Sequence, residues 1–245
     1  MPRFFVTKEA VADGVIFITG DDARHIARSL RMAVGDFVTV ADGSGTEYEC
    51  TLRRIRDEEC ECHITDTRPC LSEPPYALTL YMAYPKSDKL ETVIQKSVEL
   101  GCRRIVPFES SRCIKRPKAE KAKERTARLC RIAEEAAKQC GRGVLPEVTL
   151  PLSFDEAIAE AKSADLPIFC YEGSGTRSLK DILEEFDTPP ATVSVIVGSE
   201  GGFSEAEALA AAEAGITLAN LGPRILRCET APDYCLAALS YKFEL

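Results

Sequence analysis

The sequence predicts two domains, a small β-barrel over residues 1–72 and an α/β domain over residues 73–245 built on a mainly parallel sheet. Three observations carry this reading. Short runs of alternating apolar residues fill the chain up to Asp66. The stretch Pro69-Cys-Leu-Ser-Glu-Pro-Pro75 then breaks the pattern, because proline resists the interior of helices and strands alike. Beyond it strands and helices alternate, as they do in a parallel sheet covered on both faces.

In the first domain Phe4–Val6, Val15–Ile18, Asp36–Ala41, Glu47–Ile55 and Cys60–Asp66 read as strands. Asp42-Gly-Ser-Gly45 suits a hairpin turn. Asp21–Arg31 is helical, with acids first and bases last as the helix dipole favours. Regularly spaced short strands of this kind close into small barrels.

In the second domain Ala77–Tyr84, Arg104–Phe108, Pro167–Tyr171, Thr192–Val197 and Ile216–Leu221 read as strands. Helices are predicted over Asp88–Leu100, Glu120–Cys140, Ser153–Ser163, Ser178–Phe186, Glu205–Ala214 and Pro232–Phe243. Capping-box spacing marks the starts at Asp88/Glu91, Ser153/Glu156 and Ser204/Glu207. Gly101 and Gly215 mark two of the ends.

Composition excludes several classes. No apolar stretch reaches the length of a membrane span, and Met1-Pro-Arg-Phe-Phe-Val6 lacks the features of a signal peptide, so a cytoplasmic protein is expected. The 11 cysteines are odd in number and include no CxxC pair, which fits a reducing compartment. Cys60-Glu-Cys62-His63 has no second pair at zinc-site spacing and alternates like a strand, so no metal is expected. The net charge of −8 argues against a general nucleic-acid binder, yet residues 103–142 hold thirteen Lys or Arg against five Asp or Glu. Such a segment is either a solvated helix face or a localised surface for an anionic partner.

Two loops follow predicted strands at their carboxyl ends, where ligands bind in such sheets. Gly198-Ser-Glu-Gly-Gly-Phe-Ser204 lets backbone approach a ligand closely, or serves only as a tight turn. It matches neither the dinucleotide nor the P-loop fingerprint. Gly222-Pro-Arg-Ile-Leu-Arg-Cys-Glu-Thr230 is overlong for a strand-to-helix connection and carries two apolar residues that need cover.

These loops belong to a longer set. It includes Arg3-Phe-Phe5, His25, Leu30-Arg-Met32 and Gly35-Asp36 near the start. Lys86, Lys89, Gln95-Lys-Ser97, Glu99-Leu-Gly101, Glu135-Ala-Ala-Lys-Gln139 and Arg142 follow, and Leu221 to Ala231 completes it. With these residues the chain resembles, over essentially its whole length, the RsmE family of ribosomal RNA methyltransferases in the SPOUT superfamily. The resemblance implies an N-terminal PUA-like β-barrel and a C-terminal SPOUT α/β domain with a deep trefoil knot, a rare exception to ordinary chain connections. It implies S-adenosylmethionine as cofactor, bound in a bent shape by the knot loops, and a homodimer. The implied substrate is a uridine of 16S rRNA in the small ribosomal subunit, methylated on N3.

The resemblance places cofactor contacts at Gly198, Glu200, Gly201, Gly202, Leu221, Gly222, Ile225 and Leu226. Uridine N3 carries a proton that must leave, so Glu229 is the first candidate base and Glu200 the second. Glu229 can equally serve as a helix N-cap or pair with Arg224 or Arg227. Arg227 and Arg142 are candidates for the uracil oxygens or a phosphate. Arg3, Arg24, His25, Arg28 and Arg31 are candidates for RNA contact in the barrel. Ser199 stands where the family usually has proline, and Pro232-Asp233 where alanine or leucine is commoner. Gly-Ser-Glu-Gly also resembles the loop of SPOUT ribose 2′-O-methyltransferases, which makes that chemistry the nearest alternative. A non-catalytic ribosome-assembly factor is the other.

Overall fold

A computed structural model describes residues 1–86, 88–114 and 119–245, with the side chain of Ala119 excepted. Ser87, Lys115, Arg116, Pro117 and Lys118 lie outside the described residues, and with them part of the basic segment. The chain forms two compact units. The first holds Met1–Glu73 and Ala137–Leu145; the second holds Pro74–Ala136 and Pro146–Leu245.

The first unit contains β1 (Arg3–Phe5), β2 (Val11–Ala12), β3 (Val15–Thr19), α1 (Gly20–Arg24), β4 (Phe37–Ala41), β5 (Thr46–Ile55) and β6 (Glu59–Pro69). Helix α1 continues into a π-helical turn over His25–Ser29. The strands form one sheet in the order β1-β4-β5-β6-β3-β2, antiparallel except for β1 beside β4. Alternation along the strands sends one set of side chains inward. Phe4 near one edge and Ile16 and Ile18 near the other share a single core with Val38, Val40, Cys50, Leu52, Cys60 and Cys62. The sheet therefore curls around that core, while its edge strands β1 and β2 are not paired with each other. The expected barrel is present as a curl without full closure. Cys60 and Cys62 are packed apolar groups, and burial pushes the Cys62 thiol up to about 12. His63, on the other face, meets Glu61 instead.

Ala137–Leu145 joins this unit by specific bonds. The Gly45 N–H donates to the Gly143 carbonyl at 3.2 Å, and the Leu145 N–H to the Gly43 carbonyl at 3.1 Å. The predicted hairpin turn between β4 and β5 is thus a docking edge. Glu73 accepts hydrogen bonds from the Gly143 and Val144 N–H groups at 2.9 and 3.0 Å and from Arg142 Nη2 at 2.7 Å.

The second unit contains β7 (Ala77–Ala83), α2 (Lys89–Glu99), β8 (Arg104–Glu109), most of α3 (Ala119–Cys140), β9 (Glu147–Val148) and β10 (Leu152–Ser153). It continues with α4 (Phe154–Ala161), β11 (Leu166–Cys170), β12 (Arg177–Ser178), α5 (Leu179–Glu184), β13 (Thr192–Val197), α6 (Glu205–Glu213), β14 (Thr217–Asn220) and α7 (Thr230–Phe243). The sheet runs β10-β8-β7-β13-β11-β14-β12, with β9 beside β8. Its pairings are all parallel, as expected from the alternating pattern. The capping boxes at Ser153/Glu156 and Ser204/Glu207 form as read. The one at Asp88 does not: Asp88 is not in the extended conformation of a capping residue, the Glu91 N–H donates to the Asp88 backbone carbonyl at 3.0 Å, and the Glu91 carboxylate is paired with Arg128 at 2.8 Å. Among the described residues no helix is long and apolar enough to cross a membrane.

Candidate active site

Three strands of the second unit end side by side, and the loops that leave them build one cleft. Two adjoining cavities of about 380 and 420 Å³ share Cys170, Tyr171, Glu172, Ile225, Leu226 and Ala231 as lining. The first also reaches Thr176 and Asn220 to Arg224; the second reaches Lys89, Val197 to Phe203, Arg227 and Cys228. Every residue expected to contact a cofactor therefore lines this cleft.

The glycine loop is shaped by close backbone approach. The Gly202 N–H donates to the Ser199 carbonyl at 2.9 Å, with Gly202 in the left-handed region at φ +62°. A Cβ at Gly198 would lie 3.1 Å from the Gly202 backbone, and one at Gly201 3.0 Å from Arg112 Cβ. Arg112 also clamps the loop by donating to the Gly201 carbonyl at 3.0 Å. Ser199 is 5% exposed, and its hydroxyl has no hydrogen-bond partner among the described residues. On the opposite wall Gly222 turns the chain at φ +103°. Ile225 there is 83% exposed although apolar, a side chain that a ligand would cover.

At one end of the cleft sits a charged cluster. Lys89 Nζ lies 3.0 Å from Glu229 Oε2 and 3.3 Å from Glu200 Oε1. The Lys86 N–H also donates to Glu200 at 3.1 Å. Cys228 Sγ lies 3.2 Å from Glu229 Oε2 and donates to it. Burial works against the charged form of both carboxylates, but Lys89 and the local backbone N–H groups hold both below the usual carboxylate range. Lys89 is raised, chiefly by its bond to Glu229. Cys228 is pushed up to about 12 by burial and stays a thiol. The resting cluster is one ammonium between two carboxylates. It has no thiolate nucleophile.

Glu229 precedes the first turn of α7 but makes no side-chain cap, and its ion partner is Lys89, not Arg224 or Arg227. Arg227 is exposed at the cleft wall. Arg142 belongs to the first unit, is 2% exposed, and its guanidinium is paired with Glu73. Arg3 is engaged within the same unit: its guanidinium donates to Glu47 Oε2 at 2.7 Å and to the Arg142 carbonyl. Arg24, His25, Arg28 and Arg31 are exposed; Arg24 pairs with Asp21 and Arg28 with Asp57. Part of the basic segment is also internally compensated, through Arg104 with Glu147, Arg128 with Glu91 and Lys138 with Asp22. Lys121, Lys123 and Arg131 are exposed on α3. Sequence reasoning gave no role to Lys89, although it names the residue; its signal is its place just after a strand-end loop. Glu172, at the end of β11, carried no signal. Among the described residues no group of three or more His, Cys, Asp or Glu is arranged to hold a metal ion.

Comparison with known proteins defines the class. Residues 72–240 match the family model of an RNA methyltransferase domain, and residues 18–65 match an RNA methyltransferase PUA domain. An RNA methyltransferase with a PUA module accounts for both units. The chain is 34% identical to ribosomal RNA small subunit methyltransferase E of Bacillus subtilis, over 100% of this chain and 98% of that protein. It is 29% identical to the Synechocystis sp. protein of the same name, over 99% of this chain and 78% of that one. The crystal structure of ribosomal RNA small subunit methyltransferase E from Neisseria gonorrhoeae, bound to S-adenosyl methionine, superposes with a TM-score of 0.88 at 30% identity, covering 99% and 98% of the two chains. The chain belongs to the ribosomal RNA small subunit methyltransferase E family.

Proposed function

We propose that this protein transfers a methyl group from S-adenosylmethionine to N3 of a specific uridine in 16S rRNA of the small ribosomal subunit. It works in the cytoplasm as a homodimer, and the loops around residues 198–204 and 221–230 belong to a deep trefoil knot. The observation that carries the reading is the single cleft in which a cofactor cradle adjoins the Lys89, Glu200 and Glu229 cluster.

The cleft fits the cofactor. Glycine positions give backbone access, Ile225 and Leu226 offer apolar cover, and the buried Ser199 hydroxyl lacks a partner among the described residues. When bound, S-adenosylmethionine supplies an electrophilic methyl group on a sulfonium and takes back the carbon–sulfur electron pair. The chain does the rest. Uridine N3 lies on the Watson–Crick edge, so the base must be unpaired or flipped out to reach the cleft. The Glu229 carboxylate accepts the N3 proton, and the electron pair of that N–H bond becomes the new N–C bond. Arg227 faces the developing charge on a uracil oxygen. Cys228, a neutral thiol, donates a hydrogen bond to Glu229 and accepts one from Lys89.

Mass spectrometry of nucleosides from 16S rRNA tests the reading. Cells lacking the protein should lose N3-methyluridine, and the purified enzyme should restore it. Loss of a ribose methyl in its place would assign 2′-O chemistry. Gly198→Val should lower S-adenosylmethionine affinity by about tenfold or more, since overpacking a tight site costs roughly 1–3 kcal/mol. Calorimetry showing unchanged affinity would remove the glycine cradle from the cofactor site.

RNA contact is assigned to Arg24, His25, Arg28 and Arg31 in the first unit. The carboxylate partners of Arg24 and Arg28 are exposed, and such pairs exchange cheaply for phosphate. Affinity for the subunit should fall about tenfold or more between 50 and 200 mM salt, with a shallower slope in Arg31→Ala. Equal slopes for the variant and the parent would take Arg31 off the RNA surface.

A further inference from the structure

Lys89 bridges two carboxylates that belong to different loops of the cleft. Its ammonium is 3.0 Å from Glu229 and 3.3 Å from Glu200, near enough to pair with either. The arrangement rests on α2 for Lys89, on the loop after β13 for Glu200 and on the connection from β14 to α7 for Glu229. A base that only had to be ionised would need one cation and no second acid. A second carboxylate beside that cation weakens its hold on the first.

We propose that Glu200 and Lys89 are positioning residues that form a counter-ion exchange: Lys89 holds Glu229 ionised at rest and passes to Glu200 as Glu229 takes the proton from uridine N3. The inference rests on the reading of Glu229 as base. The balance is simple. Before transfer the cluster holds one ammonium and two carboxylates. Afterwards Glu229 is a carboxylic acid, its proton having come from N3, and the ammonium remains paired with Glu200. No cation is stranded in the cleft wall, which would otherwise oppose the transfer. Glu200 is anchored for this task by the Lys86 N–H, which fixes its carboxylate independently of Lys89.

The other polar groups that line or adjoin this part of the cleft do not supply this function. From α2 and the strand-end loop before it come Lys89 and the Lys86 side chain, the latter exposed. From the loop after β13 comes Glu200. From the end of β11 come Tyr171 and Glu172. From Glu229's own connection come Arg227, exposed, and Cys228, a thiol donor. Among the described residues Lys89 alone is bonded to both carboxylates.

The two partners should shift Glu229 in opposite directions. Lys89→Met leaves two carboxylates with no cation between them, so the Glu229 titration should rise by about one pH unit or more. Glu200→Gln gives Glu229 the undivided cation, so its titration should fall. Selective ¹³C labelling of glutamate carboxyl carbons, with Glu229→Gln to assign the resonance, reads this directly in the intact protein without cofactor. In turnover assays on small subunits, Lys89→Met should acquire a rate that climbs between about pH 5 and 7. Lys89→Arg should restore a flat profile. Glu200→Gln should stay flat but run about tenfold slower, because its Glu229 is a weaker base. Thermal melts check that each variant is folded.

If Glu229 titrates identically in the parent, Lys89→Met and Glu200→Gln, the exchange is overturned. A uniform loss of rate at every pH in Lys89→Met would overturn it equally, since that is what a structural ion pair predicts. Full activity in Glu229→Gln would sink the base assignment itself, whatever the titrations show.

Discussion

Glu229→Gln is expected to lower kcat by about 10²–10⁴-fold while leaving S-adenosylmethionine affinity within about threefold of the parent. The amide keeps the shape of the side chain and can still accept a hydrogen bond from Lys89, so the cleft wall should hold. It cannot accept the N3 proton at neutral pH. Single-turnover methylation of small subunits at saturating cofactor isolates that step from binding and product release. Retention of the parent rate in folded protein would reassign the proton to Glu200 or to solvent. Parallel calorimetry guards against a trivial loss of cofactor. Cys228→Ser is a useful companion, because the thiol is already neutral and the hydroxyl can make the same hydrogen bond to Glu229.

Arg142→Met is expected to destabilise the first unit by about 3–5 kcal/mol at neutral pH, the usual cost of leaving a buried ion without its partner. Glu73 is the ion left behind. Burial works against its charge, and Arg142 with the Gly143 and Val144 N–H groups holds it below the usual carboxylate range. The sign of the pH dependence follows. A carboxylate depressed in the folded state contributes stability above its unfolded pKa of about 4.3, and loses it as pH falls through the lower folded value. In Arg142→Met that depression is reduced, so Glu73 takes up a proton more readily. The gap between variant and parent should be widest near pH 7 and narrow towards pH 4. Urea melts at the two pH values measure it. A gap independent of pH would mean that Arg142 stabilises by packing and not by charge.

What was legible in the sequence was local. The boxes at Ser153/Glu156 and Ser204/Glu207 span three residues and need no third partner, so they form as read. The box at Asp88 does not form: the Asp88 backbone takes a conformation that its spacing to Glu91 does not reveal, and the Glu91 carboxylate is paired with Arg128, far along the chain. The same limit governs the site. Both cofactor loops stood out because overlong or glycine-rich connections after strands are visible in one dimension. The bond between Lys89 and Glu229 joins residues 140 apart, and nothing near either one announces it. The partners of Arg142 and Arg3 were hidden for a related reason. An arginine's sequence does not say whether a buried carboxylate waits for it, and Glu73 and Glu47 do. The return of Ala137–Leu145 to the first unit was invisible too, since helical spacing runs unbroken to Cys140.

That returning segment sets an order of events during synthesis. The first 73 residues emerge from the ribosome with Glu73, Gly43 and Gly45 lacking their partners. Those partners are not translated until residues 142–145 appear, several seconds later at elongation rates of about 5–20 residues per second. The N-terminal unit is thus unfinished until well over half the chain exists. A gene fragment ending at the apparent linker would encode a domain with its closing strap removed.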